Sequence, residues 1–367
     1  MNGLAHTLVQ VPPGVQCFVG AEARRRRAIE AGVVSVFEGW DYEEIIPPLY
    51  DYADVFSGPA LGPKTYTFVG RDGSLLALRP DFTSLLAKLA AGRLANRPAP
   101  IRLYYSGEVL RYEPPKAGRQ SELYQMGLEH LGGAPPAADA EIVAIAAECL
   151  EAAGVRGFVL TLGHVGVFGG LVAAAGLAES DSLRERVFSK DAAGVHALLH
   201  AAPPQAKDAL ARLTTLAGDV AVLKEAEAAF AFAPQALAAL AELGSLVDAL
   251  SEAGLGDRLA IDLGEVRGLD YYTGLVFRAY APGLGFEVGS GGRYDALLAR
   301  FGRPLPAVGF MLGLDRLALL LERQGVAAPR APEPALISGD RLAARLKRAR
   351  ELRRSAGRVR LASGPPP

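Results

Sequence analysis

From about residue 165 to 258 the chain is rich in Ala and Leu and reads as helix, with breaks at Pro203–Pro204 and Pro234. Strand-forming runs lie on both sides of it. The stretch therefore reads as a helical subdomain inserted into a strand-bearing body. The strand runs before it are YEEIIPPLYDY (42–52), the pair in TYTFVGRDGSLLALRP (65–80) around Asp72–Gly73, and a second pair, 101–113 and 122–131, joined by PPKAGRQS. An Asp-Gly step between alternating apolar runs is a strong hairpin signal. After the insertion come LAIDLGE, YYTGLVFRAYAP and GFEVGSGGRYD, and then VGFMLGLDRLALLLERQ, a strand running into a helix.

Helices fit around these runs. In 20–39, Ile29, Val33, Val36 and Phe37 fall on one face, which leaves Arg24–Arg27 as a solvated run. Residues 138–154 are helical with Gly154 as the stop, and 157–162 is a strand. The expected class is α+β. The division is a body over 1–325 carrying the insertion at about 165–258, a linker over 326–334 that includes PRAPEP, and a short strand–helix–strand segment over 335–367. Between residues 340 and 360 that segment has nine basic residues against Asp340 and Glu351, which suits a solvated helix or an RNA-binding tail.

A chain of 367 residues suggests two or three compact units. No apolar run approaches the ~20 residues of a membrane span, and MNGLAHTLVQVPPG lacks the features of a secretory signal. A cytoplasmic protein is expected. Cys17 and Cys149 alone build neither a disulfide framework nor a four-thiolate zinc site. His196 and His200 have the i, i+4 spacing of zinc ligands, but without a following Glu or a third ligand they read as an ordinary helix face. A net charge of −1 does not favour a tRNA partner, because phosphate contacts dominate nucleic-acid affinity.

The chemistry concentrates in a few segments. In ELYQMGLEH, strand alternation puts Tyr124, Met126 and Leu128 on a core face and Gln125, Gly127 and Glu129 on the other. The second face is a polar floor with room above Gly127, or a solvent-facing strand. The preceding strand carries Arg111, suited to clamping phosphate or carboxylate, or to surface pairing, and the loop adds Arg119. LRPDFT sets Asp81 and Thr83 after a strand, where they bind an ammonium or cap the next helix. EVRGLDYYTGLVF presents Arg267, Asp270, Tyr271 and Tyr272, aromatic walls with hydroxyl handles suited to a flat polar ring. GSGGRYD reads as a flexible turn leading to Arg293 and Asp295, and GFMLGLDRL puts Arg316 at a helix start, a place that favours an anion.

Taken together, in this order and over roughly residues 15–325, these segments resemble the catalytic domain of class II aminoacyl-tRNA synthetases, histidyl-tRNA synthetase in particular. YEEIIPPLYD is similar to the dimer-forming first motif, SGEVLRYEPPKAGR with YQMGLE to the second, and VGFMLGLDRL to the third. RGLDYYTG and GGRYD resemble the two signatures of the histidine enzyme. The resemblance implies a class II antiparallel sheet flanked by helices. It implies that Asp81 and Thr83 hold the α-ammonium of histidine, Arg111 and Gln125 face its carboxylate, and Glu129 with Tyr272, beside Tyr271, meets its imidazole. It also implies that Arg267 assists adenylate formation and that Arg119 and Arg316 contact ATP phosphates.

There are departures. Only 33 residues, 335–367, follow the linker, where the synthetase carries an anticodon-binding domain. QVPPGVQCFVGAEA lacks the family's Arg-rich opening, and Ser121–Glu122–Leu123 stand where Arg, Gln or Glu, and Phe are usual. These features, with GHVGVF, SKDAAGVHALL and YAPGLGFEVGSGGRYD, resemble the synthetase paralogues that regulate short-form ATP phosphoribosyltransferase. That likeness implies a non-catalytic subunit, a homodimer within a hetero-oligomer. Its expected partner is a short catalytic chain that makes phosphoribosyl-ATP from ATP and PRPP in the first step of histidine biosynthesis. Histidine is the expected feedback effector, and no cofactor, metal, membrane or tRNA is expected. The alternative is an active histidine-adenylating ligase.

Overall fold

The structure, a computed structural model, describes residues 10–58, 61–112, 120–178, 180–200, 202–266, 271–339, 341–355 and 357–362. Two compact units divide the chain: residues 1–18 with 26–327, and residues 19–25 with 328–367.

In the first unit the chain opens with α1 (Gly20–Gly39), whose first turns count with the second unit. Its buried residues are Ile29, Val33, Val36 and Phe37, the stripe that helical periodicity marks. β1 (Glu43–Glu44) and β2 (Tyr50–Tyr52) follow, then the hairpin of β3 (Thr67–Val69) and β4 (Leu75–Leu78). The hairpin turns at Gly73, which has φ of +85°. After α2 (Thr83–Ala91) come β5 (Ile101–Leu110), β6 (Glu122–Leu131), α3 (Ala137–Ala152) and β7 (Val159–His164). α3 ends before Gly154, whose φ of +83° makes it a left-handed stop.

The Ala/Leu-rich stretch is helical, as its composition indicates: α4 (Val165–Ala174), α5 (Asp181–Phe188), α6 (Ala192–Leu198), α7 (Pro204–Arg212), a two-residue β8 (Ala217–Gly218), α8 (Ala221–Ala229) and α9 (Pro234–Leu250). Pro204 and Pro234 sit in the first turn of their helices, where a missing N–H costs nothing. β9 (Leu259–Asp262), β10 (Leu275–Tyr280), β11 (Gly289–Arg293), β12 (Ala307–Gly313) and α10 (Leu314–Arg323) complete the unit.

The main sheet has nine strands among the described residues, in the order β1-β5-β6-β12-β11-β10-β7-β9-β8. β1 pairs with β5 and β7 with β9 in parallel, and the other neighbours are antiparallel. This is the α+β, class II synthetase-like arrangement that the motifs imply. β2, β4 and β3 form a separate three-stranded sheet.

Two apolar clusters lie on opposite faces of the sheet. Tyr104, Met126, Leu128 and Phe310 pack with α1, α3 and the insertion. Ile101, Leu103, Tyr105, Leu131 and Tyr294 pack with α2. The residues of β6 therefore divide between the faces as alternation requires.

GSGGRYD is not the turn its glycines suggest. Gly289–Arg293 is β11, in the middle of the sheet. A Cβ on Gly291 would stand 2.5 Å from the Phe310 Cβ, and one on Gly289 would stand 2.4 Å from a Leu312 methyl. The glycines are there because neighbouring strands fill the space. Arg293 is buried and binds within the protein. It bonds both oxygens of Asp139 in α3 and the Gly133 carbonyl, and it reaches Asp295 at 3.0 Å.

In the second unit, β13 (Ala335–Ile337) and β14 (Val359–Leu361) pair in parallel and α11 (Leu342–Ser355) connects them. Parallel neighbours need a crossover of this kind. Of the helix's residues Ala349 is buried, and it carries most of the basic run on exposed positions. No helix among the described residues is long and apolar enough to cross a membrane.

Candidate functional site

A cavity of about 630 Å3 opens on the sheet face that carries Gln125 and Glu129. It is bounded by the start of α2, the middle of β6, the tyrosines before β10, and the central strands β10 to β12. Asp81, Thr83, Arg111, Gln125, Glu129, Tyr271, Tyr272 and Arg316 all line it, which brings together every described residue of the sequence-derived set. Arg267, with its neighbour Asp270, and Arg119 lie outside the described residues.

Glu129 stands at the centre. It is 2% exposed. Its Oε1 accepts from the Thr83 hydroxyl at 2.7 Å and its Oε2 accepts from the Tyr294 hydroxyl. Burial pushes its carboxyl up to about 8; the two hydroxyls draw it back part of the way, and Asp81 raises it again. Gly309 lies opposite Glu129 in the ladder, and a Cβ there would come within 1.8 Å of Oε2. The carboxylate can lie over β12 only because that position is glycine.

Gly127 makes room too, but for another protein group. Its antiparallel partner is Tyr105, whose hydroxyl would sit 2.5 Å from a Cβ at 127. The space expected above the polar floor is thus filled by a phenol from β5. Tyr105 stacks on Phe82, centroids 4.1 Å apart, next to Asp81 in sequence.

Asp81 is buried just before α2, whose N-cap is Phe82 and carries no side-chain cap bond. One oxygen accepts from Ser84 in the first turn of α2, at 3.1 Å. The other, Oδ1, is buried with no hydrogen-bond partner. Burial raises this carboxyl, and Arg111 pulls it back part of the way. Arg111 is itself fixed by a 2.7 Å bond from its Nε to the Pro80 carbonyl. A buried acceptor lacking a donor is a place for an ammonium or another N–H group.

Tyr271 and Tyr272 precede β10 and pack edge to face, centroids 5.3 Å apart, and Tyr271 meets Tyr294 at 5.6 Å. Gly292 leaves space for the Tyr272 ring, which would lie 2.8 Å from a Cβ there. Burial raises the phenols of Tyr271, Tyr272 and Tyr294, so all three are neutral donors at neutral pH. A flat ring between aromatic edges, with a carboxylate and hydroxyls at its rim, is the chemistry this end offers.

The other wall is ionic. Arg278 Nε meets Glu265 at 2.8 Å, Arg278 Nη1 lies 3.7 Å from Glu287, and Arg316 Nη1 donates to both the backbone oxygen and Oε1 of Glu287 at 2.8 Å. Glu265 Oε1 is buried without a partner. Phe188, at the end of α5 in the insertion, lies under the Arg278 guanidinium at 5.5 Å and also lines the cavity. Arg316 is in the first turn of α10, as expected, but the anion it binds belongs to the protein.

Sequence reasoning missed Tyr294, Gly309 and this ionic wall. A lone glycine inside the β-pattern VGF was the available signal for Gly309. Among the described residues no group of three or more His, Cys, Asp or Glu is placed to hold a metal ion.

The family model described as Histidyl-tRNA synthetase matches residues 14–317. A protein of Moorella thermoacetica described as ATP phosphoribosyltransferase regulatory subunit is 42% identical over 352 residues, covering 94% of this chain and 90% of the relative. One of Desulforamulus reducens with the same description is 40% identical, covering 89% and 82%. A crystal structure from Bacillus halodurans, described as an ATP phosphoribosyltransferase regulatory subunit/histidyl-tRNA synthetase, superposes with a TM-score of 0.87 at 29% identity over 96% of this chain and 92% of that one. The histidyl-tRNA synthetase of Nostoc sp. PCC 7120 shares the fold, with a TM-score of 0.82 at 23% identity over 98% and 87%.

Proposed function

The chain belongs to the ATP phosphoribosyltransferase regulatory subunit family, within the histidyl-tRNA synthetase-like proteins, and on that premise we propose that it activates a short catalytic subunit and carries its histidine feedback. The cavity is the histidine site in this reading. The unpartnered Asp81 oxygen takes the α-ammonium with Thr83 beside it, Arg111 and Gln125 face the carboxylate, and Glu129 with Tyr271 and Tyr272 meets the imidazole. Arg267 belongs to the same set. The observation that carries the reading is the pairing of two buried carboxyls, Asp81 and Glu129, in one cavity with tyrosine walls. A zwitterion with a basic ring fits that pairing.

Histidine controls the catalytic partner in this scheme only as far as it binds one state of the complex better than another, typically by ~1–3 kcal/mol. A synthetase-like dimer gives each complex two such sites.

The test is reconstitution with a short-form catalytic subunit. Phosphoribosyl-ATP formation should depend on this chain and fall as histidine is added. Glu129→Gln should weaken the histidine response and leave activation in place. Activity that ignores this chain would overturn the proposal, and histidine-dependent ATP–pyrophosphate exchange by the chain alone would favour the adenylating ligase.

A further inference from the structure

We propose that Glu287 sets the specificity of the cavity: its carboxylate is a built-in anion on Arg316 that keeps phosphorylated ligands out and confines the site to unphosphorylated zwitterions. The proposal rests on reading the cavity as a histidine site and names what that site refuses.

Three observations carry it. The first is geometric. Arg316 Nη1 is held at 2.8 Å by the Glu287 backbone oxygen and again at 2.8 Å by Oε1. The other oxygen of the same carboxylate faces Arg278 Nη1 at 3.7 Å, and Arg278 is bonded to Glu265 at 2.8 Å. The Glu287 side chain is 24% exposed, so the carboxylate sits largely inside the wall rather than in bulk solvent. A phosphate that used Arg316 would have to displace a charge-assisted bond from a group that is already tethered. That group loses no translational freedom in binding, whereas a free ligand does.

The second is charge. Among the described lining residues, Asp81, Glu129, Glu265 and Glu287 face Lys64, Arg111, Arg278 and Arg316. By count the four acids match the four bases, and with burial holding Glu129 largely protonated below about pH 8 a polyanion still finds only a small surplus of positive charge.

The third is hydrogen-bonding sense. The buried side-chain oxygens in this cavity that lack a partner, Asp81 Oδ1 and Glu265 Oε1, are both acceptors. They call for ammonium or ring N–H donors. A phosphate at neutral pH offers chiefly more acceptors.

The experiment uses the full chain and titrates ATP and histidine separately into wild type, Glu287→Gln and the double variant Glu287→Gln/Arg316→Ala, by calorimetry. Wild type should bind histidine and bind ATP weakly. Glu287→Gln should bind ATP at least ~10-fold more tightly, with histidine affinity changed less than ~3-fold. The second substitution should remove the gain. Histidine binding by Glu287→Gln reports that its cavity is intact. No gain in that variant, or a gain that survives Arg316→Ala, overturns the proposal. If no protein binds histidine while Glu287→Gln alone gains ATP, the phosphate exclusion stands and the histidine reading falls.

Discussion

The Tyr294 hydroxyl donates to Oε2 of Glu129, from β11's end to β6, across a strand that holds glycine at the crossing point. That bond favours the charged form and draws the carboxyl part of the way back from the shift that burial imposes, leaving it at about 8. Tyr294→Phe removes it and leaves a buried acceptor short of a donor, a loss of about 1–3 kcal/mol. The chemical-denaturation midpoint should fall accordingly. Histidine affinity should fall by roughly tenfold, as calorimetry would read it.

The pH dependence of folding follows from the sign of the Glu129 shift. Its folded-state value, about 8, lies above the ordinary 4.5. The stability tied to the protonated carboxyl is therefore complete below about pH 4.5 and is lost as the pH rises through 8, on the order of 5 kcal/mol in all. Asp81 and Glu265 are raised by burial and act in the same sense. Glu129→Gln should flatten the decline between pH 5 and 8 in urea titrations. An unchanged slope would place the shift elsewhere.

Histidine binding should show a plateau. The free imidazole titrates near 6.5 and Glu129 near 8. Between those values the ring and the carboxyl share one proton before and after binding, so affinity is flat. Above pH 8 the complex must take up a proton, and below 6.5 it must release one. Affinity should drop by up to ~10-fold per pH unit on either side. Calorimetry across buffers of different ionisation enthalpy should find no net proton exchange near pH 7.

Gly309→Ala puts a methyl group within 1.8 Å of where Oε2 of Glu129 now lies. The adjoining atoms include the Leu128 carbonyl, 2.5 Å from the same Cβ, so the backbone has little scope to yield. We expect a loss of about 1–3 kcal/mol and near-complete loss of histidine binding, checked by thermal melting alongside titration.

Arg293 and Asp139 form a buried pair, 2.6 Å apart. Arg293→Met leaves Asp139 uncompensated and should cost about 3–5 kcal/mol. Adding Asp139→Asn should restore much of it. Urea unfolding of the single and double variants measures both effects, and additive losses would contradict the pairing.

How far the sequence could be read depended on the range of the interaction. Alternation along β6 was enough to send Tyr124, Met126 and Leu128 one way and Gln125 and Glu129 the other, because strand periodicity is a local property. The stripe on α1 was legible for the same reason. Tyr294 was not, since its partner lies 165 residues away and their meeting depends on the pairing of β11 with β12 and of β12 with β6. Gly127 looked like an opening because the register that brings Tyr105 over it is invisible in either strand alone. GSGGR has the composition of a turn, and only the side chains of the flanking strands explain why a central strand needs it. Arg316 stands at the helix start that the sequence marks, but Glu287, 29 residues earlier, could not be identified from the sequence as its ion-pair partner.

Phe188 ties the helical insertion to the cavity. It ends α5, the second helix of the insertion, and its ring rests against Arg278 in the ionic wall. The ninety-odd residues that β7 sends out and β9 receives back are consequently no detachable ornament. Sliding or loosening that lobe strips an aromatic cover from a guanidinium and wets one side of the chamber. The lobe and the chamber must therefore repack together, and a graft that exchanges one without the other starts with a leak.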